Sequence, residues 1–111
     1  MFKICNKCQK QWKTRNDFLY DISLTIVGYD SNFDNINLGF FLFKHQCDQV
    51  LSIGVNEFRD LYNGKIFNEI KINKTECPGY CLNIDSLDSC NVKCAYVYER
   101  NIIQIIKNIK T

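Results

Sequence analysis

The sequence predicts an α+β fold in one domain of 111 residues. A short antiparallel β-sheet comes first, a cysteine-rich segment next, and a helix closes the chain. Three observations predict this. Short apolar runs with strand-like alternation crowd between positions 22 and 55. Six of the seven cysteines fall in pairs three or four residues apart. Apolar residues near the end, from Ala95 to Ile109, recur at helical spacing.

In chain order, residues 1–16 form a basic cysteine knuckle with the single tryptophan, Trp12. Thr14 is placed to N-cap a short helical turn holding Phe18 and Leu19, with Asp17 three residues on as a capping-box partner. From Ile22 to Tyr29 β-branched residues alternate, with Ile22, Leu24, Ile26 and Gly28 on one face and Ser23, Thr25, Val27 and Tyr29 on the other. The phenylalanine-rich run Gly39 to Lys44 reads as a second strand and Val50 to Val55 as a third. The short polar link Gln46 to Gln49 makes these two a hairpin. Asn56 is a suitable N-cap for a helix from Glu57 to Tyr62, ended by Asn63-Gly64. Ile66 to Ile72 alternates and reads as a short strand. The ribbon-like β part thus covers residues 1–75. Residues 76–111 hold the cysteine-rich segment and a helix starting near Lys93.

Composition narrows the class. Hydrophobic residues make up 46% and aromatics 14%, with one proline and five glycines, which excludes a disordered or linker-like chain. No apolar stretch approaches the ~20 residues of a membrane span, and the N-terminus lacks a secretory signal pattern. The expected setting is a reducing cytoplasm, where close-spaced cysteines hold metal more often than disulfides. The odd cysteine count also disfavours a closed disulfide framework. The single histidine, His45, lies two residues from Cys47 and completes eight candidate ligands.

The first candidate site is Cys5, Cys8, His45 and Cys47. A CxxC turn presents two thiolates to one ion. His45 and Cys47, two apart in extended chain, project from one face. Three cysteines and one histidine make a normal structural zinc environment. The second is Cys77, Cys81, Cys90 and Cys94, two CxxxC pairs, the first on a Pro78-Gly79 turn. Four thiolates suit structural zinc, while an iron–sulfur cluster and disulfides remain competing readings. For the CxxC, a redox dithiol competes. Ligands could also be exchanged between the two sets. With two zinc ions and seven thiolates, the formal charge of +2 becomes −1, a poor balance for general nucleic-acid binding.

The run from Cys5-x-x-Cys8 and Trp12 through His45-Gln46-Cys47 to Cys77-Pro78-Gly79-Tyr80-Cys81 resembles small uncharacterised bacterial zinc-ribbon-like proteins. The resemblance covers most of the chain and implies metal binding; it implies no particular activity.

Enzyme motifs are missing from the sequence. There is no HExxH, P-loop or GxSxG, and His45-Gln46-Cys47 departs from the deaminase HxE at the key glutamate. Asp30 and Asp34 read as turn residues. The expected function is therefore a non-catalytic zinc-binding module with a protein partner or a second copy of itself, through surplus apolar surface on the C-terminal helix. One alternative is nucleic-acid binding by the basic knuckle: residues 1–16 carry Lys3, Lys7, Lys10, Lys13 and Arg15 with no acid, and Trp12 could stack on a base. Another is a thiol redox or zinc sensor. No membrane and no small-molecule substrate are implied.

Overall fold

The computed structural model describes residues 1–110. Two antiparallel sheets carry the β structure. The hairpin of β1 (Lys3–Ile4) and β2 (Gln11–Trp12) is the smaller. β3 (Leu24–Asp30), β4 (Phe40–His45) and β5 (Val50–Gly54) form the larger, with β4 in the middle. Between the sheets lies α1 (Arg15–Leu19), and α2 (Val97–Ile109) ends the fold.

α1 is short and is held at both ends. The Thr14 hydroxyl accepts from the Asp17 amide and the Asp17 carboxylate accepts from the Thr14 amide, so the capping box is complete. At its other end the Lys110 ammonium donates to the carbonyls of Phe18, Leu19 and Asp21 at 2.9, 2.9 and 3.1 Å. A cation there meets the carbonyls that a helix end leaves without partners.

The three-stranded sheet buries one face. Phe41 and Phe43 of β4 and Leu51 and Ile53 of β5 point inward, while Phe40 and Lys44 point out. β3 begins in the same way with Leu24 and Ile26 inward. Its pairing then steps from Ile26–Phe43 to Gly28–Leu42, so Val27 is an extra residue. This bulge breaks the alternation, and it turns Tyr29 into the core, against the outward placement that strict alternation gives it. Ile22, expected on the inner face, precedes the strand and is 84% exposed.

α2 lies over the inner face, where Tyr98, Ile102, Ile103 and Ile106 join Phe18, Phe41, Phe43 and Phe58 in one core. The apolar surplus of this helix is thus consumed at home, and the helix no longer argues for an interface.

Three expected elements differ. The stretch after β5 is a 3-10 helix, Val55–Leu61, that begins after Gly54 without a side-chain cap, not an α-helix capped by Asn56. Its two buried residues, Val55 and Phe58, are three apart, the spacing a three-residue turn stacks on one side. Residues 66–72 form no strand. Ile66 and Ile70 remain 41% and 48% exposed, so the alternation has no face to bury. The C-terminal helix starts at Val97, not near Lys93, because the chain turns tightly at Cys94, whose amide bonds to Val92 O.

Candidate metal centre

Two turns converge to make the first site. In the β1–β2 turn the Cys5 amide bonds to Lys10 O and the Gln9 amide to Cys5 O, at 2.8 and 2.9 Å. This brings Cys5 and Cys8 round one corner. In the β4–β5 turn the His45 amide bonds to Gln49 O and the Asp48 amide to His45 O, at 2.9 and 2.8 Å. His45 is the last residue of β4 and Cys47 lies on the turn beyond it, so the turn, not strand alternation, aims them together. The residue after the second ligand is left-handed in both turns: Gln9 has φ 65° and Asp48 has φ 71°. Neither is glycine, the residue that takes this conformation most cheaply.

The ligand atoms of Cys5, Cys8, His45 and Cys47 all lie within 4.8 Å of one another. Cys5 Sγ is 3.5 Å from Cys47 Sγ, Cys8 Sγ is 3.4 Å from His45 Nδ1, and that nitrogen is 3.3 Å from Cys47 Sγ. Zinc bonds of about 2.3 Å to sulfur and 2.0 Å to nitrogen place tetrahedral ligands roughly 3.5–3.8 Å apart. The set therefore already has nearly the size of one occupied shell. Nδ1, not Nε2, is the nitrogen that faces the thiols. The predicted first ligand set comes together with no exchange from the later cysteines.

The surroundings favour an anionic sulfur. The Cys8 backbone amide, with lesser help from that of Lys7, brings the Cys5 thiol down to about 6 against the opposing effect of burial. Burial pushes the Cys47 thiol up against the lowering effect of the Gln49 amide, and the Cys5 and Cys8 thiols add to the rise, as expected for acids that share one site before metal replaces their protons. Trp12 walls the site. Its ring stands edge-on to His45 at 5.2 Å, and its indole N–H donates to Asp21 at 2.8 Å. Burial raises the Asp21 carboxyl, but the bonds from Ser23 and Trp12 outweigh it and hold the group below its usual range.

The second set is arranged differently. Cys77, Cys81, Cys90 and Cys94 line one cavity of about 20 Å³, together with Arg100. Among the described residues, the first set is the one whose ligand atoms close to within 4.8 Å; the second is looser. Its sulfurs nonetheless accept backbone bonds: Cys77 from Gly79 at 3.4 Å, and Cys94 from Lys71 at 3.2 Å and Tyr96 at 3.5 Å. Gly79, at φ 83°, makes the turn that the Pro-Gly pair predicts. Burial pushes the Cys81 thiol up to about 11, opposed by the charge of Arg100.

Polar clamps tie this segment to the sheet and to α2. The Tyr29 amide donates to Ile84 O at 2.9 Å, Ser31 Oγ to Cys81 O at 2.8 Å, and Gln104 to Leu87 O at 2.7 Å. Arg100 was not picked out from the sequence. The signal was present, since it is a charged residue on the face of α2 that also carries Val97 and Ile103. Glu99 was missed as well; it is fully buried and accepts from the hydroxyls of Tyr29 and Tyr98.

All seven cysteines are free thiols. Among the described residues no helix is long and apolar enough to cross a membrane. No protein-family model, curated protein or solved structure matches the chain.

Proposed function

We propose that this chain is a non-catalytic zinc module of the zinc-ribbon kind, in which a structural ion at Cys5, Cys8, His45 and Cys47 joins the two sheets. It works in a reducing compartment as a rigid scaffold held by that ion. One observation carries the reading: four soft and borderline ligand atoms from two separate turns gather in a space of tetrahedral size. Three thiolates and an imidazole close the shell, whereas catalytic zinc keeps an open position. The one histidine of the chain is used in that shell and is not free for proton transfer.

The nucleic-acid alternative keeps its basic residues but loses its stacking platform. Trp12, the residue meant to stack on a base, is buried against His45 and Phe18.

The test is chelation of the reduced protein, followed by near- and far-ultraviolet circular dichroism. A structural ion contributes on the order of 10 kcal/mol or more, comparable with the whole stability of a small domain. Loss of tertiary signal on metal removal, and its return with zinc, is expected. An unchanged spectrum after complete removal would overturn the reading.

A further inference from the structure

We propose that Cys77, Cys81, Cys90 and Cys94 form a second metal centre, for a single zinc-type divalent ion, whose excess negative charge is balanced by the buried guanidinium of Arg100. The inference stands on residues separate from the first centre and does not depend on it.

Three observations carry it. The first is Arg100 itself. It is fully buried, yet its partners are neutral: Nε and Nη2 donate to Asp88 O at 3.1 and 2.6 Å, and Nη2 also to Ser86 Oγ at 3.2 Å. The faces of Tyr29 and Tyr80 flank it. Nη1 has no partner, and it is the buried side-chain polar atom left unsatisfied among the described residues. The Asp88 carboxylate is reached only through the Ser86 hydroxyl, which donates to it at 3.3 Å, and a buried cation with an unused donor and no direct anionic partner is costly. Arg100 lines the cavity that the four cysteines line. Four thiolates around a divalent ion carry a net charge of −2, which supplies the missing counter-charge and sulfur acceptors for Nη1.

The second observation is the backbone. Gly79 donates to Cys77 Sγ and Tyr96 to Cys94 Sγ, in each case from the residue two positions on, and Lys71 adds a third bond. A neutral thiol is a weak acceptor, so three amides aimed at two sulfurs are better spent on thiolates. The third is size. The cavity of about 20 Å³ that the four cysteines share has room for one water-sized body, enough for a single ion. Loading must draw the four sulfurs closer than they now stand. Each thiol that binds releases its proton, so a fully protonated set gives up four on binding one ion. Paired disulfides would instead leave neutral sulfur and a guanidinium still without a counter-ion.

Native mass spectrometry and elemental analysis of the reduced full chain test this. Two zinc ions are expected for the wild type, one for Cys90→Ser and one for Cys8→Ser. A wild type with one ion, lost in Cys8→Ser and kept in Cys90→Ser, would overturn the second centre while leaving the first intact. One ion with the reverse pattern would support the second centre and refute the first. Iron with inorganic sulfide at these cysteines would overturn the single-ion assignment. Arg100→Gln is expected to weaken one ion of the two by about 10–100-fold in competition with a chromophoric chelator. It should also shift the thiolate-to-metal charge-transfer band of the cobalt-loaded protein, with partial rescue by Arg100→Lys. Unchanged affinity and spectrum would remove Arg100 from the centre. If Arg100→Gln fails to fold, the stoichiometries of the cysteine variants decide alone.

Discussion

Glu99 sits where water does not reach it, and its removal should reshape the pH dependence of stability. The carboxyl accepts from the hydroxyls of Tyr29 and Tyr98, and Arg59 stacks on the Tyr98 ring. Burial outweighs both hydrogen bonds and raises the group from 4.5 to about 7. The native state therefore holds a proton that the unfolded chain releases above pH 4.5. Such a group stabilises fully below its unfolded value, and the benefit is lost as pH rises through its folded value. Two and a half units at about 1.4 kcal/mol each give about 3 kcal/mol over the whole window. Acid also displaces metal from thiolates, so the assay belongs at about pH 6 to 8, where about 1.3 kcal/mol of the change falls. Urea unfolding of the zinc-loaded wild type and Glu99→Gln is the measurement. The amide cannot ionise, so the wild type should lose about 1.3 kcal/mol relative to the variant as pH rises from about 6 to 8. A constant difference, or one of opposite sign, would refute the buried neutral carboxyl.

The two left-handed positions give a second prediction: Gln9→Gly and Asp48→Gly should each stabilise the loaded protein by about 0.5–1 kcal/mol, more at Gln9, since aspartate tolerates this region better. Thermal melts at fixed free zinc would show it, and destabilisation at both would contradict the turn geometry. Gly28→Ala should cost about 1–3 kcal/mol, because its methyl would meet Ile84 O at 2.8 Å and Leu42 Cδ1 at 3.1 Å. The cysteine-rich segment should then loosen from β3, read as faster hydrogen exchange at the Tyr29 amide, which bonds to Ile84 O. A neutral effect with unchanged exchange would mean that the segment does not press on β3 there.

Local patterns were the legible part of this chain. The capping box at Thr14 and Asp17 spans three residues, and the structure forms it as read. The runs that became β4 and β5 carry their own alternation, and the CxxC and HxC spacings announced the first ligand set. What depended on distant partners was not legible. The bulge at Val27 is seen only once β3 is laid against β4. Residues 66–72 have strand alternation but no neighbouring strand. The left-handed turns escaped notice because Gln9 and Asp48 stand where glycine would have flagged them. Arg100 and Glu99 are adjacent charged residues on an apolar helix, and each acquires its meaning from groups far off in sequence: Tyr29 for Glu99, the cysteine cavity for Arg100. The helix isoleucines pointed first to the protein's own core, with an interface as the alternative, and the sheet beneath them decides between the two.

The most direct test of the first centre uses the fact that the chain has a single histidine. With cadmium-113 in place of zinc and nitrogen-15 in the ring, His45 Nδ1 should show scalar coupling to the metal, with Nε2 carrying the proton. An imidazole that shows no such coupling in metal-loaded protein, or couples through Nε2, would contradict the arrangement of Cys5, Cys8, His45 and Cys47 around one ion.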